Sequence, residues 1–221
     1  MPLRIGHRGA AGYAPENTLS ALAKAIALRV DMAEFDVQRT KDGKLVVIHD
    51  KRVDRMTDGN GKVSDLNLDE LRKLVVKKDE RIPTLEEILA SADGRIGLVL
   101  EIRSSGIARE VCNLVVNQRF RGPVIYASFL HFELLDIRDA SAGAKTLALL
   151  EGVPVRPTAF AEDARATHVG LAVDSITEPF VHALRSAGLA VFGYTVNHSA
   201  DIAWMKSMRL EGIISDFPDR L

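Results

Sequence analysis

The sequence predicts a closed (β/α)8 barrel of the TIM type, and three observations predict it. From residue 83 onward, short apolar runs alternate with amphipathic stretches, as parallel strands covered by helices require. Counted from the N-terminus, the strand-like runs number eight, which is enough to close a barrel. Charged and polar residues stand at the C-terminal ends of several of these runs, where such a barrel carries its chemistry. At 221 residues, the chain suits one domain spanning 1–221.

Residues 3–7 read as a short buried strand that ends on His7 and Arg8. Residues 16–29 read as a helix, because Leu19, Leu22, Ala23, Ile26 and Ala27 recur on one face. Asn17, after Pro15, is the expected N-cap. The second strand covers 32–37. Its Glu34 and Asp36 alternate with Phe35, so both carboxylates point to one face. Asp42-Gly43 is a two-residue hairpin turn signal. With that turn Lys41 opposes Lys44 and Asp36 opposes His49. Opposed residues have Cβ atoms about 4.5–5.5 Å apart, so His49 is expected beside the carboxylates.

Residues 51–83 differ in kind. They are rich in charge and contain the turn signal Asp58-Gly59-Asn60-Gly61. Leu66, Leu68, Leu71 and Leu74 point to one short helix, and the charge run 77–81 reads as solvated surface. The stretch is too small for a domain and is expected to be a loop insertion near the site. Strands then follow at 97–102, 124–129, 146–150, 168–173, 189–196 and 212–215. Helices are expected near 85–92, 107–118, 131–139, Ala161, 178–187 and 200–208. Along the seventh strand Tyr194 and Val196 should share a face. The chain stops soon after the eighth strand, so the last helix should be vestigial.

Composition narrows the function. A net charge of −1 offers no field for nucleic acid. The single cysteine, Cys112, excludes an intrachain disulfide framework and suits a reducing, cytoplasmic compartment. Its place beside Ile107, Val111 and Val115 on one helix face makes it a core thiol. No apolar run approaches the roughly 20 residues that span a bilayer. Glu34 and Asp36 repel each other unless one keeps a proton or a cation lies between them, and a hard divalent cation is the economical answer.

An ordered set of short motifs runs along nearly the whole chain. It comprises His7-Arg8-Gly9, Pro15-Glu16-Asn17-Thr18, Glu34-Phe35-Asp36-Val37 and Val47-Ile48-His49-Asp50. It continues with Pro-Thr-Leu-Glu-Glu-Ile-Leu at 83–89, Leu100-Glu101-Ile102-Arg103, Ser128-Phe129, Thr195-Val196-Asn197 and Ser215-Asp216-Phe217-Pro218. In this set the chain resembles the glycerophosphodiester phosphodiesterase family of metal-dependent barrel enzymes. The resemblance implies a divalent ion, Mg²⁺ or Ca²⁺, held by Glu34, Asp36 and Glu101. It implies His7 and His49 as acid and base, and Arg8 on the phosphate of a small glycerophosphodiester substrate. Arg103 stands where the family usually has lysine, and is expected to share the phosphate charge. Tyr194 stands where the family usually has tryptophan; with Phe129 it is expected to line the substrate pocket. Two other readings are a lysophospholipase D or sphingomyelinase D activity on the same scaffold, and a non-enzymatic phosphate- or metal-binding barrel.

Overall fold

The computed structural model describes residues 1–221, apart from the side chain of Lys78. Its barrel strands are β1 (Leu3–Gly6) and β2 (Met32–Arg39), then, after the hairpin arm β3 (Leu45–Val47), β4 (Gly97–Ile102) and β5 (Val124–Ser128). β6 (Lys145–Leu150), β7 (His168–Ala172), β8 (Ala190–Tyr194) and β9 (Gly212–Ser215) complete it. Each pairs in parallel with its neighbour from β2 through β4 to β9, and β9 and β2 both pair with β1, which closes the barrel. β3 lies outside, antiparallel to β2. The eight-strand barrel expected from the alternation is therefore present.

Between the strands lie α1 (Leu19–Ala27), α2 (Leu68–Leu71), α3 (Leu85–Ala92), α4 (Ala108–Asn117), α5 (His131–Ala140), α6 (Ala159–Asp163), α7 (Glu178–Ser186) and α8 (Ser199–Ser207). Where an eighth outer helix would follow β9, there is one 3₁₀ turn, Pro218–Arg220. Side chains such as Ile5, Met32, Val99, Leu147, Phe192 and Ile214 fill the barrel interior. Two larger clusters seal strands to helices. One gathers α1, α3 and α4 against β2 and β4; the other gathers α7 and α8 against β7 to β9. Cys112 is buried in the first, with Ile107, Val111 and Val115. No helix among the described residues is long and apolar enough to cross a membrane.

Three local expectations are corrected. The first helix begins at Leu19, not at 16, and Thr18 caps it by accepting from the Ala21 N–H at 3.2 Å. Asn17 is in the left-handed region, φ 58°, and its side chain serves Asp36 instead. The hairpin turn has three residues. Thr40 and Lys44 pair across it (Thr40 N to Lys44 O 2.9 Å), and Gly43 closes it at φ 78°, a value that suits glycine. The insertion grips this turn, because the Lys41 N–H donates to Leu66 O and the Leu68 N–H to Asp42 Oδ1. The register consequently slips by one residue. Val37 opposes Val47, and Asp36 meets Ile48 rather than His49. Finally, β8 stops at Tyr194, so alternation ends there. Tyr194 packs against the interior cluster, while Val196 joins the outer one and donates its N–H to Ile214 O.

The insertion carries its own small core of Val53, Met56, Val63, Leu71, Val76 and Ile82, joined to Val46 and Ile48 of the hairpin. Lys77, Asp79 and Arg81 of the charge run are exposed; the Lys78 side chain lies outside the described residues.

Candidate functional site

The turn after β1 sets the first group. Gly6 and Gly9 cross so closely that a Cβ on Gly6 would sit 1.8 Å from Gly9 O, and Gly9 itself has φ 90°. Between them Arg8 is held at φ 48°, a conformation that non-glycine residues adopt at some cost. The turn aims the Arg8 N–H at Glu34 Oε2 (2.8 Å) and the Gly9 N–H at Glu34 O (3.0 Å). On the next strand, Asp36 is fixed by Asn17. The amide Nδ2 donates to Asp36 Oδ2 at 2.8 Å, and Asn17 Oδ1 accepts from the Asp36 N–H at 3.2 Å.

β2 and β4 run in parallel register with Asp36 beside Glu101. Ligand oxygens of Glu34, Asp36 and Glu101 lie within 4.8 Å of one another. Glu34 and Asp36 are buried, and Glu34 Oε1 is buried with no hydrogen-bond partner. Burial, then the charges of Asp36 and Glu101, pushes the Glu34 carboxyl well above its usual range. Burial and Asp36 push Glu101 up to about 7. Three carboxylates and an orphaned oxygen make an anionic cradle whose donor set fits a hard divalent cation. Two arginines border it. Arg103 Nη1 bonds Glu101 and lies 3.5 Å from Asp36 Oδ1, and Arg8 Nε lies 3.4 Å from Asp36 Oδ2.

Both expected histidines are backed by aspartates. His7 Nδ1 meets Asp216 Oδ1 at 2.7 Å, and Asn197 Nδ2 donates to Asp216 Oδ2 at 2.6 Å. Burial works to raise the Asp216 carboxyl, but hydrogen bonds from His7 and Asn197 prevail and hold it below the usual range. His49 Nδ1 meets Asp50 Oδ1 at 2.7 Å. The chain reaches this position by leaving the sheet after Val47. Gln38 Nε2 then gathers the carbonyls of Ile48, His49 and Asp50 at 2.8, 2.9 and 2.8 Å. Burial lowers the His49 pKa; Asp36 and Asp50 oppose that shift, while Arg8 and Arg103 reinforce it. The remaining expected residues, Phe129 and Tyr194, form an edge-to-face pair with centroids 6.0 Å apart. Tyr194 Oη donates to Leu150 O at 3.2 Å.

A cavity of about 30 Å³ opens between His7, Glu34, Glu101 and Tyr194, floored by Val99 and Leu147. A larger cleft, about 940 Å³, lies at the opposite end of the barrel among Met1, Leu3, Arg4, Leu210 and Leu221, away from these groups. Local sequence pattern assigns Asn17 to a helix cap and gives Asn197 and Asp216 no role. The signal for Asn197 and Asp216 was their position at strand ends.

Residues 7–220 match the model of the Glycerophosphoryl diester phosphodiesterase family. A glycerophosphodiester phosphodiesterase of Caldanaerobacter subterraneus is 35% identical over 99% of this chain and 96% of its own. One of Bacillus subtilis is 30% identical over 98% of this chain and 84% of its own. An Oleispira antarctica phosphodiesterase, solved in complex with the product sn-glycerol-3-phosphate, matches at TM-score 0.92 and 26% identity, covering 100% of this chain and 95% of that one. Matched along its length by the family model and by relatives at 30% identity and above, the chain belongs to the glycerophosphoryl diester phosphodiesterase family, a family of phosphodiester-hydrolysing enzymes.

Proposed function

We propose that the site hydrolyses a glycerophosphodiester to sn-glycerol 3-phosphate and an alcohol, with His7 and His49 as the proton-transfer pair. In this reading Glu34, Asp36 and Glu101 hold a divalent cation, Mg²⁺ or Ca²⁺, and Arg8 and Arg103 hold the phosphate. The observation that carries it is the meeting of three carboxylates within 4.8 Å, two of which, Glu34 and Glu101, line a cavity with His7. When bound, the cation would neutralise a non-bridging phosphate oxygen and lower the pKa of the attacking hydroxyl.

The chain's own groups supply the rest. Burial favours neutral His49, and Asp50 occupies its Nδ1, so Nε2 is left to accept the proton of the attacking hydroxyl. Asp216 occupies Nδ1 of His7 in the same way, so His7 Nε2 delivers a proton to the departing alcohol oxygen. With water attacking, one phosphorus–oxygen bond forms and one breaks; with the glycerol 2-hydroxyl attacking, that displacement leaves a cyclic phosphate, which water opens in a second displacement to sn-glycerol 3-phosphate. Arg8 commits Nη1 to Glu16 (2.8 Å), which leaves Nη2 for a phosphate oxygen. The Phe129–Tyr194 pair supplies a wall for the uncharged part of the substrate.

A lysophospholipid reading needs an apolar groove in the insertion, and the insertion turns Val53, Met56, Val63 and Leu71 into its own core. The lone buried thiol, Cys112, supports the cytoplasmic setting we propose. The test is release of the head-group alcohol from a panel of glycerophosphodiesters and lysophospholipids, with sn-glycerol 3-phosphate as the other product of the former. EDTA should abolish release from the glycerophosphodiesters, and added Mg²⁺ or Ca²⁺ should restore it. Full turnover by metal-free protein would overturn the reading.

A further inference from the structure

We infer that Arg55, from the insertion, is a positioning residue that holds His49 and Arg8 in place at once through Asp50 and Glu16. The inference rests on the roles proposed above for those two residues. Its basis is one guanidinium forked across two carboxylates. Arg55 Nε donates to Asp50 Oδ2 at 2.6 Å and Nη2 to Asp50 Oδ1 at 3.1 Å. Nη2 also donates to Glu16 Oε1 at 2.6 Å, and Nη1 to Glu16 Oε2 at 3.1 Å.

The oxygens that Nη2 holds are the ones that hold the site. Asp50 Oδ1 is also the partner of His49 Nδ1 at 2.7 Å. Glu16 Oε1 is also the acceptor for Arg8 Nη1 at 2.8 Å. A planar fork with fixed N–H directions sets both carboxylate planes together, which a point charge cannot do. Arg55 is itself placed by its neighbours. Val53 and Met56 are buried in the insertion core, and the Met56 N–H closes a turn onto Val53 O at 3.2 Å. The insertion thus reaches the chemistry through Arg55.

A half-exposed ion pair adds little to stability, so the consequence of this fork is orientation. Without Arg55, the Asp50 carboxylate keeps only His49 as partner and is free to rotate. His49 then loses the contact that fixes its tautomer and ring plane. Glu16 keeps Arg8 but loses the second contact that sets its angle. Groups supporting a reactive side chain from behind typically cost about 10- to 100-fold when removed.

The experiment compares kcat and KM for Arg55→Met, Arg55→Lys, Asp50→Asn and Glu16→Gln, using metal-saturated enzyme and one glycerophosphodiester. His49→Ala and Arg8→Met are measured alongside. Arg55→Met should lower kcat and raise KM together, about 10- to 100-fold in kcat/KM, with its thermal unfolding close to that of the wild type. Asp50→Asn should act mainly on kcat and Glu16→Gln mainly on KM. Adding Arg55→Met to the Asp50→Asn/Glu16→Gln double variant should cost less than about twofold more, because the residues act as a unit. Arg55→Lys should restore one parameter and not both, and it carries the test if Arg55→Met does not fold. Both parameters of Arg55→Met within twofold of wild type, full restoration by lysine, or a further tenfold loss in the double-variant background would each overturn the inference. If His49→Ala and Arg8→Met are themselves near wild type, the reading of the site fails instead.

Discussion

β1, β2 and β4 end among His7, Arg8, Glu34, Asp36, Glu101 and Arg103, whereas β5 to β8 end in Ser128, Leu150, Ala172 and Tyr194. The first three are direct neighbours in the sheet, in register at Gly6 with Ala33 and at Asp36 with Glu101. Carboxylates that meet within 4.8 Å need strands that touch, so the ionic groups occupy one side of the mouth. On the other side Ser128 Oγ is spent on Ile102 O at 2.7 Å, and the exposed face is the Phe129–Tyr194 pair. A phosphodiester has the same division, an anionic centre and an organic arm. β9, which returns to β1, crosses the divide by bringing Asp216 to His7.

The largest effects should come from the ionic side. Glu34→Gln removes one of the three charges that, in the proposed function, balance a cation. Hydrolysis should fall about 10³-fold or more, as losing several kcal/mol of charge stabilisation implies. The same change should leave chelated protein more resistant to heat. In metal-free wild type, folding raises the Glu101 pKa from the usual 4.5 to about 7 and raises Glu34 as well. The native state therefore binds more protons than the unfolded chain in that window, and its stability should drop as pH rises from 4.5 to about 7. Metal should cancel the drop, and Glu34→Gln should flatten it. Thermal unfolding against pH, with and without EDTA, checks this; a chelated protein that gains stability across the window would refute the crowded-carboxylate account.

Next in size are the histidines. His7→Ala and His49→Ala should each cost about 10²- to 10⁴-fold in kcat. The double variant should fall well short of the product, since the two act as a unit. Their supports offer a sharper comparison across the two sides. Arg55 holds the Asp50 carboxyl down at about 2, so His49 keeps a charged partner throughout the working range. Asp216 depends on His7 and the Asn197 amide. Asn197→Ala should therefore impair His7 alone. Its loss should vanish in a His7→Ala background and be reduced but still measurable in a His49→Ala background. Equal losses in both would show that Asn197 acts on the whole mouth.

How much of this was legible depended on the range of the interaction. Strand positions follow from local burial, and Leu98, Val99 and Leu100 or Ile213 and Ile214 announce it by composition. Glu34 and Asp36 were legible as a pair because a strand alternates. The hairpin register was not, because the Thr40 hydroxyl and the Leu66 carbonyl stabilise a three-residue turn that Asp42-Gly43 alone does not encode. His49 still lies within reach of the Asp36 charge, by way of Gln38 rather than by cross-strand pairing. Asn17 looked like a cap because its type caps helices; its partner Asp36 is 19 positions away. Arg55 lies 39 positions from Glu16, in an insertion lacking periodicity, so no local pattern points to it.

The smallest effect should come from the aromatic side, and it tests whether that side touches substrate at all. Tyr194 packs on the interior cluster, lines the cavity with His7 and Glu101, and is anchored by its hydroxyl to Leu150 O. Tyr194→Trp adds ring area at the mouth and leaves every charged group in place. The pocket should narrow and favour small substrates such as glycerophosphoethanolamine over bulkier ones. Changes of contact area in a pocket shift discrimination by about 1–3 kcal/mol, so the ratio of kcat/KM values should move while turnover of the smaller substrate stays high. Tyr194→Phe separates the anchor from the area. It removes the bond to Leu150 and keeps the ring, so it should loosen the wall without reversing the preference. A ratio unmoved by tryptophan would mean that Tyr194 fills the barrel mouth and that discrimination lies elsewhere.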